Sequence, residues 1–254
     1  MKKNGKYIYC IIPSSTPVNF GSIGIGEQGD AVYTINYEDI AAVVSNSPQK
    51  EYKARRVNIS AHQKVLEAVM EQFSILPVRF STVTENHDDL GVERILEKDY
   101  GKFKTMLEEM NGKKELGVKA IFREEVIFGH IVEKYDEIRH LRDKLLRLPA
   151  DKTHTERVKI GEMVESALQQ EADSLKDDFL ESLRPLCEEV KMNDNYGERM
   201  IMNGAFLIDQ QNEKEFDATM NALDDKYGWL VTFKYVGSLP PYNFVNLVIN
   251  LEEN

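Results

Sequence analysis

The period of apolar and polar positions changes several times along this chain, and each change predicts an element. Lys6 to Ile12 is an aromatic and β-branched run stopped by Pro13, the mark of a strand. A loop rich in Ser, Pro and Gly follows as far as Gly29, and then Ala31–Asn36 and Ile40–Ser45 predict two more strands across a short polar turn. From Val57 to Phe73 the apolar residues Val65, Leu66, Val69 and Phe73 fall at helical spacing, with Ser60 as the expected N-cap. Ile75–Val83 reads as a strand carrying one Arg near its middle. Leu90–Met110 reads as one helix with a stripe at Ile95, Leu96, Phe103, Met106, Leu107 and Met110, weakened by Gly101 and stopped at Asn111-Gly112.

A second set of elements starts there. Leu116–Phe122 alternates as a strand, Glu124 to about Leu148 is a charged helix ended by Pro149, and Lys152 to about Leu183 is a second long helix. On that helix Ile160, Met163, Val164, Ala167, Leu168, Leu175, Phe179 and Leu183 form one stripe, so it predicts an arm packed on a single side. Glu188–Met192 and Met200–Asp209 follow as strands, Glu213–Tyr227 as a helix, and Gly228–Val236 as a strand. Strand, helices, strand, strand, helix, strand is the split βαβ order, which gives an antiparallel four-stranded sheet with helices on one face. The first half carries a looser version of the same order. The expected fold is therefore α+β: two ferredoxin-like antiparallel-sheet domains with an inserted long helical region. The boundaries read from the chain are 1–111 for an N-terminal domain, 112–236 for a C-terminal domain with its helical arm at about 124–184, and 237–254 for a tail.

Composition narrows the function. The 254 residues are 42% hydrophobic and 30% charged, enough apolar material for real cores under a heavily solvated surface. The net charge of −11 supplies no dominant basic field for phosphates, so nucleic acid is not an expected partner. Lys53 to Arg56 sits among acidic neighbours as solvated surface. No stretch approaches the roughly 20 apolar residues of a membrane span, so no membrane association is expected. The apolar run after the basic start is too short for a signal-peptide core. Cys10 and Cys187 lie far apart, each flanked by apolar residues and neither in a CxxC pair, which predicts reduced, buried thiols in a cytosolic protein.

Sites of bond-making chemistry are not apparent. Gly24-Ile25-Gly26-Glu27-Gln28-Gly29 matches GxGxxG, but strand-like residues follow it where a phosphate-binding loop needs a helix N-terminus. His62, His87, His130, His140 and His154 form no HxH, HExxH or Cys/His cluster, so no metal is expected. The Glu pairs at 108–109, 124–125 and 188–189 belong to charged helical or boundary stretches and read as solvated faces. No GxSxG elbow is present. The expectation is no catalytic residue and no cofactor.

Two segments remain. Arg79, followed by Phe80, sits in an apolar run, where it must snorkel, pair with a carboxylate or contact a partner. In Pro240-Pro241-Tyr242-Asn243-Phe244-Val245, two prolines stiffen the chain and lack N–H donors. Tyr242 and Phe244 then project from a fixed turn, either into the domain's own core or into a partner. Arg79, Phe80, Tyr242 and Phe244 are the candidate protein-contact residues.

These segments also carry a resemblance. Tyr7-Ile8-Tyr9, Ile40-Ala41-Ala42-Val43-Val44-Ser45, the helix around His62, Leu76-Pro77-Val78-Arg79-Phe80, Lys114-Glu115-Leu116-Gly117-Val118-Lys119, Ala205-Phe206-Leu207-Ile208-Asp209 and Pro240–Val245 together resemble the gas vesicle GvpF/GvpL family, in order and over almost the whole chain. Ser81 stands where that family commonly has Gly, and Gly237-Ser238-Leu239 where Gly-Pro-Trp is common. The resemblance implies a two-domain α+β architecture with ferredoxin-like sheets and no enzymatic activity. It also implies an accessory role in gas vesicle formation, with binding to the small hydrophobic shell protein (GvpA-type) and to other accessory gas vesicle proteins during nucleation or assembly. A cytoplasmic, vesicle-associated location goes with it. A minor structural component of the vesicle and a small-molecule-binding ferredoxin-like module stand as alternatives.

Overall fold

The first strand, β1 (Gly5–Ile12), is buried at every position, because its sheet is covered on both faces. The computed structural model describes residues 5–26, 30–48, 51–84, 89–149, 153–247 and 249. The chain divides into two compact units, one made of residues up to Glu115 together with those from Ser238 onward, the other of Leu116–Gly237. The segment after 237, set apart as a tail on sequence grounds, groups with the first unit, and Val245 and Leu247 are buried in one of its cores.

In the first unit β1, β2 (Asn19–Gly21), β3 (Val32–Tyr37), β4 (Ile40–Ser47) and β5 (Leu76–Pro77) form one sheet in the order β2-β3-β4-β1-β5. β1 runs antiparallel to β4 and to β5. On one face Tyr7, Tyr9 and Val43 pack against Val65, Leu66 and Val69 of helix α1 (Arg56–Met70). On the other, Ile8, Ile11 and Val44 pack against Val92 and Leu96 of α2 (Asp89–Lys98) and Phe103 and Leu107 of α3 (Tyr100–Met110). Two covered faces explain why β1 reads as an unbroken apolar run and not as an alternation. They also correct the expected architecture: helices lie on both sides of this sheet, and β1, β3 and β4 follow one another without an intervening helix.

Three other expectations change. Ser60 lies inside α1, whose N-cap is Arg55. The stripe from Leu90 to Met110 is two helices, broken at Asp99 (φ −108°, ψ 17°). Ile75–Val83 is not one strand: pairing covers Leu76–Pro77, and Val78 N–H donates to Tyr9 O at 2.9 Å. The chain then swings out at Arg79 and Phe80, turns through Ser81 at φ 69°, and returns with Ile8 N–H donating to Thr82 O. Ser81 holds that left-handed conformation by two bonds, its N–H to the Tyr7 hydroxyl (2.9 Å) and its Oγ from Tyr52 N–H (2.7 Å).

The glycine loop is a packing device. Gly24 N–H donates to Asp30 O at 2.9 Å, and a Cβ on Gly24 would meet that same oxygen at 2.6 Å. β3 follows at Val32, while residues 27–29 lie outside the described residues.

The second unit holds β6 (Lys113–Phe122, its first residues belonging to the first unit), β7 (Glu189–Met192), β8 (Met200–Asp209) and β9 (Val231–Leu239) in the order β7-β8-β6-β9. Its core joins Leu116, Val118, Ala120 and Phe122 of β6 to residues of α4 (Glu124–Lys134), α5 (Asp136–Leu145), α6 (His154–Leu183) and α7 (Glu213–Tyr227). The predicted helix 124–148 is thus two, divided at Tyr135. No Pro or Gly marks that break. Tyr135 instead donates its hydroxyl to Glu171 Oε1 of α6 at 2.8 Å, and Lys134 Nζ reaches the same oxygen at 2.6 Å. Burial, then Glu171, pushes the Tyr135 phenol up to about 12.

Cys10 is buried in β1, where burial raises its thiol well above the ordinary range. Cys187 is only half-buried, its Sγ donating to Leu183 O, and burial pushes it up to about 12.

Candidate functional site

His62 lies on the inward face of α1 and is buried against the aromatic side chains of β1. Tyr9 stacks on its ring at 5.6 Å, and Phe80 meets it edge-on at 5.8 Å. Each imidazole nitrogen has a phenol partner: Nδ1 lies 3.0 Å from the Tyr7 hydroxyl and Nε2 2.7 Å from the Tyr242 hydroxyl.

The neighbouring bonds fix the direction of this chain. Tyr7 already accepts from Ser81 N–H, so its own proton goes to Nδ1. The Tyr242 hydroxyl donates to Val78 O at 3.2 Å, so it accepts from Nε2–H. A neutral, Nε2-protonated His62 satisfies every group in the series. Burial holds its pKa down at about 4. Burial likewise raises the Tyr7 and Tyr242 phenols above their usual range. The Tyr242 ring is 43% exposed, but its hydroxyl end is covered by His62 and the Val78 carbonyl.

A second anchor fixes the proline turn. Glu115, 2% exposed, accepts from Asn243 N–H at 3.0 Å and from Asn243 Nδ2 at 2.6 Å. Phe244 N–H and Val245 N–H both donate to Pro241 O, closing the turn. Between this turn and α1 lies a groove of about 520 Å³, within the first unit. Ile59, Leu66, Phe80, Leu239 and Pro240 give it apolar walls, and Arg79 stands on its rim.

Arg79, Phe80 and Tyr242 therefore meet on one groove, while Phe244 is half-buried and does not line it. Arg79 is exposed on the swing between Val78 and Ser81, and its side chain has no ion pair among the described residues. Sequence reasoning missed His62, Glu115 and Asn243. A buried carboxylate in β6 gives no periodic signal, and an Asn after Pro-Pro-Tyr reads as ordinary turn residue.

Neither His62 nor Glu115 presents a spare donor atom for a metal here, since both imidazole nitrogens and both carboxylate oxygens are engaged. Among the described residues no three His, Cys, Asp or Glu side chains gather as ligands. His87 lies outside those residues. The groove offers apolar walls, the rings of Phe80 and Tyr242, and one guanidinium.

The family described as "Gas vesicle synthesis protein GvpL/GvpF" matches residues 5–246. The chain belongs to the GvpL/GvpF family. A role in gas vesicle formation follows from that membership. It is 27% identical to gas vesicle protein F of Nostoc sp. over 96% of this chain and 99% of that protein. It is 23% identical to gas vesicle protein L1 of Halobacterium salinarum over 95% and 90% of the two. The crystal structure of GvpF from Anabaena sp. PCC7120 superposes with a TM-score of 0.82 at 27% identity, covering 96% of this chain and 99% of that one. GvpF from Microcystis aeruginosa superposes with a TM-score of 0.76 at 25% identity and the same coverage.

Ser81 and Ser238 both hold left-handed backbone. Ser81 bears about 1 kcal/mol of conformational cost at φ 69° and gains the Tyr52 bond. Ser238 adopts φ 48°, a conformation closed to proline.

Proposed function

We propose that this chain is a non-catalytic assembly factor of gas vesicle formation, holding the hydrophobic shell protein and other accessory vesicle proteins during nucleation or assembly. The observation that carries the reading is the groove of the first unit, where apolar walls held by the His62 and Glu115 anchors stand beside the exposed Arg79. A shell subunit with an apolar gas-facing side aggregates before it assembles. A protein with net charge −11 that covers part of that side keeps the complex dispersed. Among the described residues no helix is long and apolar enough to cross a membrane, which accords with action in the cytoplasm and on the vesicle. We also read the second unit as ferredoxin-like, because β7-β8-β6-β9 is the strand order that a split βαβ chain produces.

The test is co-expression with the shell protein. Arg79→Ala is expected to lower the shell protein recovered with the chain about tenfold, the usual scale for an interfacial Arg, with the melting temperature unchanged. Unchanged shell-protein solubility and vesicle yield after deletion of the whole chain would overturn the reading. An Arg79→Ala variant that unfolds would instead make Arg79 a structural residue.

A further inference from the structure

The acidic character of the chain is locally reversed around the end of α5. From Arg139 to Lys159 there are seven Lys and Arg against three Asp and Glu, in a protein of net charge −11. The structure concentrates that charge where α5 hands over to α6. Arg142 pairs with Asp143 at 2.6 Å, a carboxylate that Arg147 also helps to hold ionised, while Arg139 pairs with Asp136. Arg142, Lys144 and Arg147 are exposed, as are Arg157 and Lys159 in the first turns of α6.

Apolar side chains stand among these cations. Leu146 is 78% exposed, Leu148 41% and Val158 49%. The opposite side of α5 is already used, with Ile138 in the unit's core and Leu145 buried as well. α6 divides in the same way: its buried residues all lie from Ala167 onward, and its first three turns have none. Large exposed aliphatics inside a basic patch mark an interaction surface and not a merely solvated face.

We propose that this end of the α5–α6 pair docks an acidic amphipathic helix of a partner protein, with its apolar face on Leu146, Leu148 and Val158 and its carboxylates toward Arg142, Lys144 and Arg147. Charge complementarity selects the acidic partner, and the leucines select an amphipathic one. A lipid surface fits less well: a helix lying in a membrane interface needs a free apolar face with Trp or Phe, and α5 has its main face buried. Nucleic acid fits less well too, since bare leucines give phosphates nothing and the patch has no Phe, Tyr or Trp to stack a base.

The experiment uses the full chain and a fluorescein-labelled synthetic peptide of about 20 residues, built of Glu and Leu with Leu at i, i+3, i+4 and i+7. Its scrambled isomer, phosphatidylserine-containing vesicles and a short DNA duplex are the other probes. The amphipathic peptide is expected to bind at least about tenfold more tightly than the scrambled one and to weaken as salt rises. Arg142→Glu/Arg147→Glu and Leu146→Gln/Leu148→Gln are each expected to weaken it about tenfold with unchanged melting temperatures, because all four side chains are exposed. Equal binding of the scrambled peptide, indifference to either double variant, or tighter binding to vesicles or DNA would each overturn the proposal.

Discussion

Lowering the pH from 6.5 to 4 is expected to remove about 3 kcal/mol of unfolding free energy through His62 alone. The folded pKa is held at about 4 by burial, against 6.5 for an unperturbed His. Between those values the unfolded chain binds a proton that the folded chain does not, so stability falls as pH falls. Above 6.5 the contribution is complete, and below 4 no further loss comes from this residue. The geometry gives the reason. A second proton on His62 would point Nδ1–H at the Tyr7 hydroxyl, which already receives Ser81 N–H and would have to turn its own proton away from Nδ1. Urea unfolding at pH 7, 5.5 and 4.5, compared with His62→Gln, isolates the effect from the carboxylates. The slope difference should vanish in the variant, whose amide cannot titrate. A parallel fall in both proteins would mean that His62 is solvated in solution. Tyr242→Phe is expected to cost about 1–2 kcal/mol at pH 7, since it leaves Nε2–H without an acceptor.

Glu115→Ala is expected to destabilise the first unit by about 3 kcal/mol, because its buried carboxylate receives two charge-assisted bonds from Asn243. The Asn243 N–H would be left without that acceptor, and the turn leading to Val245 and Leu247 would lose its anchor. A double-mutant cycle with Asn243→Ala measures the link directly, and a coupling of about 1–2 kcal/mol is expected. Coupling near zero would show that packing of Val245 and Leu247 holds the segment unaided. The groove should respond as well. With the turn released, Pro240 and Tyr242 no longer face α1, so the Glu115 variant should lose shell-protein recovery even at temperatures where it stays folded.

Both effects depend on residues far apart in the chain. His62 and Tyr242 are separated by 180 positions, and Glu115 and Asn243 by 128. Neither pairing leaves a periodic trace. Arg79, Phe80 and Tyr242 could be picked out because each breaks the pattern around it: a cation in an apolar run, an aromatic after two prolines. His62 breaks nothing, since a lone His on an apolar helical face is commonplace. The same contrast runs through the secondary structure. α6, α7, β6 and β8 lie close to where apolar spacing puts them, for each buries a stripe or an alternating face that local sequence must supply. The breaks at Asp99, Tyr135 and Ser81 went unseen. The last two are held by hydroxyl bonds to Glu171 and from Ser81 to Tyr7, which belong to no local motif.

Periodicity and charge thus settle the kinds of element, the acidic surface and, through short ordered segments, kinship with the gas vesicle family. Burial is a property of neighbouring spacing, and that is written along the chain. Which side chains meet is not, because a hydrogen bond across more than a hundred residues exists only once both segments have been packed. The two-sided cover of β1, the neutral His62 between two phenols and the carboxylate that holds the proline turn all arise at that later stage, and they shape the groove.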